Sequence, residues 1–250
     1  MTTIDIRECI RQVLQDGYCI LHDHFPVDAI NACHAAWRPI ADAHLAEHAD
    51  NPNRGPNRHY IPLPFRSPLY NSAFFNDDTI LAIAKGILGE QVIIDGFASD
   101  TPFKGSVHQE VHADLPELFP ERPDIILPPH ILVVNWPFVD VTTENGPFQI
   151  ADGTHLLPKS EALSRIEAGE FPLKSLLMKV GDTMVRDPRC LHRGSPNLTD
   201  TPRVQAGFTL LRPWYHRHRR DRTAIARSYL ETLSDREKSL LQRLPVDEER

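Results

Sequence analysis

The segment His108-Gln-Glu-Val-His-Ala-Asp114 restricts the possible folds more than any other part of the chain. In extended backbone, alternate side chains share a face, so His108, Glu110, His112 and Asp114 would form one stripe of imidazoles and carboxylates. Four such groups cannot face a dry interior unless they are paired, hydrogen-bonded or bound to a cation. A fold that accommodates the stripe must turn it either to water, as a wet strand edge, or to a metal ion. The segment alone leaves both readings open.

The sequence downstream has the texture of a β protein. Apolar runs at His130-Ile-Leu-Val-Val-Asn-Trp136, Phe148-Gln-Ile150, Ser175 to Val180, Asp182 to Arg186 and Arg203 to Leu211 alternate with turn clusters such as Glu144-Asn-Gly-Pro147 and Ala151-Asp-Gly153. Short strands spaced in this way predict a sandwich or double-sheet barrel. Upstream, residues 3–16, Val27 to about Asp50, and Asp77 to Leu88 have helical spacing, while Tyr18-Cys-Ile-Leu21 reads as a strand. Residues 51–76, rich in proline and aromatic side chains, read as a long functional loop, and Ala224 to Leu244 as a terminal helix. The expected fold is mainly β with flanking helices (α+β). It forms one domain over residues 1–250: a helical and loop portion to about residue 90, a β core at about 91–215 and a C-terminal helix at about 222–244. A chain of 250 residues buries enough apolar surface to need no staple.

A net charge of −7 argues against a nucleic-acid or anionic-membrane partner. No apolar run reaches the length of a membrane span. Cys9, Cys19, Cys33 and Cys190 have no C-x-x-C spacing, and the N-terminus lacks a leader pattern, so we expect a cytoplasmic protein with reduced thiols.

His112-Ala-Asp114 is an H-x-D pair, and His192 follows in a Gly181-Asp182…His192-Arg-Gly context. Two histidines and one carboxylate on one side of an ion leave positions open on the other, the facial arrangement of non-haem Fe(II) oxygenases. Further on, Arg203 offers a planar guanidinium suited to a carboxylate.

Taken in order, Asp16-Gly-Tyr-Cys-Ile-Leu21, Gln109-Glu-Val-His112-Ala-Asp114, Thr143-Glu-Asn-Gly-Pro147, Asp152-Gly-Thr-His155, Gly181-Asp182, His192-Arg-Gly and Arg203 cover most of the chain. This set resembles the phytanoyl-CoA dioxygenase-like branch of Fe(II)/2-oxoglutarate-dependent dioxygenases. The resemblance implies a double-stranded β-helix (jelly-roll, cupin-like) core. It implies that His112, Asp114 and His192 hold Fe(II) as the catalytic centre, with Arg203 on the far carboxylate of 2-oxoglutarate and Gln109 near that cosubstrate. It also implies an O2-dependent oxidation of a C–H bond in a small metabolite, yielding succinate and CO2. Two positions depart from the family pattern. Ala151-Asp-Gly-Thr-His155 stands where Pro-Gly-Ser-His is common, and Phe148 stands where a small or hydroxylated residue is common.

His108, Glu110, Asn135, Trp136, Phe148, Arg189, Arg58 and Tyr60 are candidate pocket residues, and Arg54, Arg58, His59 and Tyr60 are placed to meet an acidic substrate. Two other classes compete. His44-Leu-Ala-Glu-His48 matches the H-x-x-E-H pattern of a zinc metallopeptidase, with Glu47 as base. A cupin-like binding module without catalysis is the other. The basic run His216-Arg-His-Arg-Arg-Asp-Arg222 reads as a solvated connection or a phosphate contact.

Overall fold

The computed structural model describes residues 4–48, 52–217 and 223–248. Helix α1 (Ile6–Asp16) starts where the Asp5 side chain accepts from the Arg7 and Glu8 amides, and stops at Gly17, whose φ of 96° suits the left-handed region. Strand β1 (Tyr18–Leu21) and the long helix α2 (Val27–His48) follow. Next come β2 (Arg58–Pro62), the short α3 (Ser72–Phe75) and α4 (Asp78–Leu88), whose first turn is capped by Asp77. The central strands are β3 (Ile93–Pro102) and β4 (Ile131–Pro137). After them the chain forms β5 (Phe148–Ile150), α5 (Lys159–Glu167), β6 (Lys174–Leu176), β7 (Thr183–Arg186), β8 (His192–Gly194) and β9 (Gln205–Leu211). It ends in β10 (Ile225–Ala226), α6 (Arg227–Thr232), α7 (Asp235–Leu240) and β11 (Val246–Asp247).

Two antiparallel sheets dominate. The larger has six strands in the order β1-β7-β4-β9-β3-β2, and the smaller has three in the order β6-β5-β8. Period-2 alternation divides the large sheet cleanly into two faces. Phe97, Leu132, Val134, Trp136, Ala206, Phe208 and Leu210 pack under the helices in the main apolar cluster. Their neighbours Gly96, Ala98, Val133, Asn135, Gln205, Gly207 and Thr209 line an open cleft on the opposite face. Trp136 anchors the apolar side, with Phe25, Phe74, Phe97 and Phe208 ring centroids 5.1–6.0 Å away.

Four expectations change. The portion before residue 90 supplies both edges of the large sheet, because β2 joins the expected strand β1. The proline-rich stretch contains β2 and α3, since prolines at a strand end and outside α3 leave the ladder intact. The terminal helix is broken at Leu233, which is extended. Ser234 then starts α7 with a capping box to Glu237. The polar stripe around His112 is not a regular strand, and its only ladder contact among the described residues is an isolated bridge to His192. Residues 218–222 of the basic run lie outside the described residues. All four cysteines are buried and unbridged, and no helix among the described residues is long and apolar enough to cross a membrane.

Trp136→Ala should remove the centre of the aromatic cluster and lower stability by about 3–5 kcal/mol, read as a drop in the urea midpoint. Because the ring faces away from the cleft, metal affinity of the folded fraction should stay within about twofold of wild type.

Candidate metal centre

His112 and His192 exchange two backbone hydrogen bonds, each 2.9 Å, which dock the polar segment onto the free edge of β8. Nearby, the Gln109 amide donates to the Gly194 carbonyl at 3.1 Å. From Gln109 to His112 is three steps, whereas from Gly194 to His192 is two, so the polar segment carries one extra residue, as in a β-bulge. The bulge breaks strict alternation and lets Gln109 and His112 line the same cleft.

The bridge brings three donors together. Nitrogen atoms of His112 and His192 and an oxygen of Asp114 all lie within 4.8 Å of one another. Asp114 Oδ1 is 3.9 Å from His112 Nε2 and 3.5 Å from His192 Nε2. Each imidazole is oriented by its own loop: His112 Nδ1 lies 2.7 Å from the Glu110 carbonyl, and His192 Nδ1 lies 2.8 Å from the Cys190 carbonyl. A carbonyl can only accept, so both Nδ1 atoms carry the proton and both Nε2 lone pairs face the shared space, as metal ligation requires. Burial, then the adjacent His192, pushes the His112 imidazole below its ordinary value.

Arg186 at the end of β7 fixes the carboxylate. Its Nη2 donates to Asp114 Oδ2 at 2.8 Å, and its Nε donates to Asn135 Oδ1 at 3.1 Å. The guanidinium also lies 5.1 Å from the Phe148 ring, which stacks on His192 at 4.8 Å. Burial by itself raises the Asp114 carboxyl, but Arg186 and His192 outweigh it and hold the group well below the usual carboxylate range. The donor set is therefore one carboxylate and two imidazole Nε2 atoms, with one carboxylate oxygen engaged by Arg186 and the other facing the histidines. That chemistry fits a divalent transition metal.

The donors open into a cleft of about 850 Å³ between the two sheets. Gln109, Asn135, Phe148 and Tyr60 line it, as the sequence suggested. Other candidates lie elsewhere, each for a physical reason. Trp136 points to the opposite face of β4 and is fully buried in the core. His108 and Glu110 are exposed outside the cleft because the bulge ends the alternation that grouped them with His112. Arg189 is held by Asp187 and the Leu127 carbonyl and lines a separate apolar cavity on the back of the His112–Asp114 segment. Arg58 lies behind the cleft wall, donating to Asp100 at 3.0 Å and to the Ser195 carbonyl at 2.8 Å. A side chain at Gly194 would collide with its guanidinium.

Arg203 precedes β9 rather than lying within it and is 1% exposed. It donates to the Gly146 carbonyl at 2.9 Å and to Gln205 at 2.7 Å, while its Nη2 has no partner. Burial pulls it down to about 10, so it remains a cation at neutral pH. A buried cation with an orphaned nitrogen fits a carboxylate ligand. Gln205, which lines the cleft, lies between this group and the open space.

The His44 and His48 ring centroids lie 4.7 Å apart at a tilt of 57°, and His59 meets His44 edge-on at 5.3 Å. Among the described residues, however, only His112, Asp114 and His192 gather as a metal-binding group, so the peptidase reading is not favoured. The sequence reading missed Arg186 and Thr209. Its available signal was a charged residue at the end of the otherwise apolar Thr183-Met-Val-Arg186 run.

Comparison with known proteins agrees with this geometry. The family model for phytanoyl-CoA dioxygenase (PhyH) matches residues 13–204, and the chain belongs to that family of Fe(II)/2-oxoglutarate-dependent dioxygenase-type enzymes. The fold is similar to AviO1 from Streptomyces viridochromogenes Tue57, with a TM-score of 0.66 and 16% identity over 87% of this chain and 99% of that one. HygX from Streptomyces hygroscopicus, solved with nickel, 2-oxoglutarate and hygromycin B bound, matches with a TM-score of 0.64 and 18% identity over 85% of this chain and 90% of that one. EctD from S. alaskensis with bound Fe matches at 0.61 and 21% identity over 84% and 77%.

The buried histidines set a pH dependence. Burial pushes His112, His130 and His155 below their ordinary value. Unfolded histidines titrate near about 6.5, so below that pH the unfolded chain binds more protons and folding loses free energy. The stability is fully present above about pH 6.5 and declines as pH falls toward the depressed folded values. Urea midpoints of metal-free protein should fall between pH 7.5 and 5.5, and a flat or rising midpoint would contradict the assignment.

Proposed function

We propose that the chain is a non-haem Fe(II)/2-oxoglutarate-dependent oxygenase that oxidises a C–H bond of a small organic metabolite, with a double-stranded β-helix core formed by its two sheets. The observation that carries this reading is the convergence of His112, Asp114 and His192 at the floor of the cleft between those sheets.

In this reading His112 Nε2, His192 Nε2 and Asp114 Oδ1 would hold the iron. Arg203 receives the distal carboxylate of 2-oxoglutarate through its unpartnered Nη2, reached by movement of Gln205. Gln109, whose Oε1 accepts from the Gly194 amide at 3.0 Å, borders the cosubstrate position and fixes the β8 edge. Iron, 2-oxoglutarate and O2 together supply an oxidant strong enough to take hydrogen from carbon, releasing succinate and CO2. The protein supplies position and dryness. Phe148 closes one wall by stacking on His192, while Val133, Gly207 and Ala98 make a low floor over which the reacting carbon can lie. The domain reading is a single unit over residues 1–250, with the helices buttressing the large sheet. HygX, solved with hygromycin B, and EctD, solved with 5-hydroxyectoine, illustrate small-molecule ligands on this fold and support the substrate class in general terms.

Anaerobic addition of Fe(II) and 2-oxoglutarate should produce a visible charge-transfer band that His112→Ala and His192→Ala each abolish. Absence of the band in wild type would contradict the reading. Arg203→Ala should weaken 2-oxoglutarate binding by about 10–100-fold, the worth of a lost charge-assisted contact, and leave Fe(II) affinity within a few-fold. Equal loss of both would remove Arg203 from the anchoring role.

A further inference from the structure

The end of the cleft away from Arg203 contains two buried polar atoms, Arg186 Nη1 and Thr209 Oγ1, that the oxygenase reading does not use. Strand register places Arg186 of β7 and Thr209 of β9 on either side of Val133 of β4, each directly opposite it. Directly paired residues in antiparallel strands point to the same face, and all three line the cleft. Arg186 is 6% exposed and Thr209 is 7% exposed. Among the described residues, neither Arg186 Nη1 nor Thr209 Oγ1 has a hydrogen-bond partner. Orphaned buried donors are costly and rare. Two from different strands, flanking one apolar residue and facing one cavity, mark a place for an acceptor.

We propose that Arg186 and Thr209 form the substrate's anion subsite, and that the substrate is a carboxylic acid whose carboxylate sits over Val133. This inference rests on the oxygenase reading of the cleft and names its substrate class. Two convergent donors, one cationic, match the two oxygens of a carboxylate, whereas a phosphate dianion would leave further oxygens without partners.

The charges around the cleft agree. Its carboxylates are committed, Asp100 to Arg58 at 3.0 Å and Asp114 to Arg186 at 2.8 Å, while Arg54 adds positive charge to the wall. Arg186 can serve both roles because Asp114 uses Nη2 and Asn135 uses Nε, leaving Nη1 for the ligand. A carboxylate held there is tied by one guanidinium to the metal-site carboxylate. This fixes the distance between the substrate's acid group and the reacting centre, so the oxidised carbon is selected by its separation from the acid.

The test uses full-length protein loaded with Zn(II) and 2-oxoglutarate, with benzoate and hexanoate as probes and benzamide and hexanamide as neutral twins, by ligand-observed NMR. Both acids should bind at least about 10-fold more tightly than their amides. Arg186→Gln should abolish that preference. Thr209→Val should weaken acid binding by about 3–10-fold and leave both amide binding and 2-oxoglutarate affinity unchanged. Acids and amides binding alike, or a preference that survives Arg186→Gln, would overturn the proposal. So would an equal loss of 2-oxoglutarate and benzoate in Thr209→Val, because the row would then belong to the cosubstrate. If Arg186→Gln fails to fold, Thr209→Val decides alone. Wild-type protein that binds neither metal nor 2-oxoglutarate fails the oxygenase reading instead, and the acid–amide comparison then reads the subsite without them.

Discussion

The two 2.9 Å backbone hydrogen bonds between His112 and His192 join segments that are far apart in sequence, and every other part of the centre is arranged around that joint. A bridge fixes backbone, and backbone fixes which way the imidazoles leave it. Carbonyls at Glu110 and Cys190 then hold the rings so that both Nε2 atoms face Asp114. Loss of the bridge would free a long, irregular connection between β3 and β4, and ordering such a segment costs conformational entropy for each residue fixed. The sheet edge at β8 offsets that cost with backbone hydrogen bonds that the segment would otherwise make to water.

The second constraint is charge. Asp114, Arg186 and Arg203 are ionised groups with little or limited exposure, and each is stable only with partners. Arg186 resolves the problem for Asp114 and draws Asn135 and Phe148 into the same network. Arg203 is half resolved, with one nitrogen still unpartnered. Close packing enforces these positions: a side chain at Gly207 would strike the Asn135 amide, and one at Gly194 would strike Arg58. The cleft is thus rigid on its large-sheet side, which suits a site that must hold a C–H bond at a defined position.

Much of this was readable in the sequence because it follows local rules. Apolar runs located β4, β7 and β9, and helical spacing located α1 and α4. The three donor residues followed from the H-x-D pair and a distant histidine. What escaped depended on contacts between segments remote in sequence. The stripe of His108, Glu110, His112 and Asp114 implied one face, but the extra residue opposite β8 separates the first two from the last two, and a bulge leaves no local signature. Trp136 and Asn135 are adjacent and were both assigned to the pocket, although alternation sends them to opposite faces. Arg186 was overlooked because a charged residue at the end of an apolar strand reads as an edge until its partner Asp114 is known. The edge strand β2 was hidden by its proline-rich surroundings and by Pro62 at its end, whose missing amide an edge tolerates.

The central claim is that one divalent iron sits between His112, Asp114 and His192. Anomalous diffraction at the iron edge, from crystals grown anaerobically with Fe(II) and 2-oxoglutarate, tests it most directly. A single strong peak is expected roughly 2 Å from His112 Nε2, His192 Nε2 and one Asp114 oxygen, with the other oxygen still on Arg186. A peak beside His44 and His48, or none within coordination distance of His112, would contradict it.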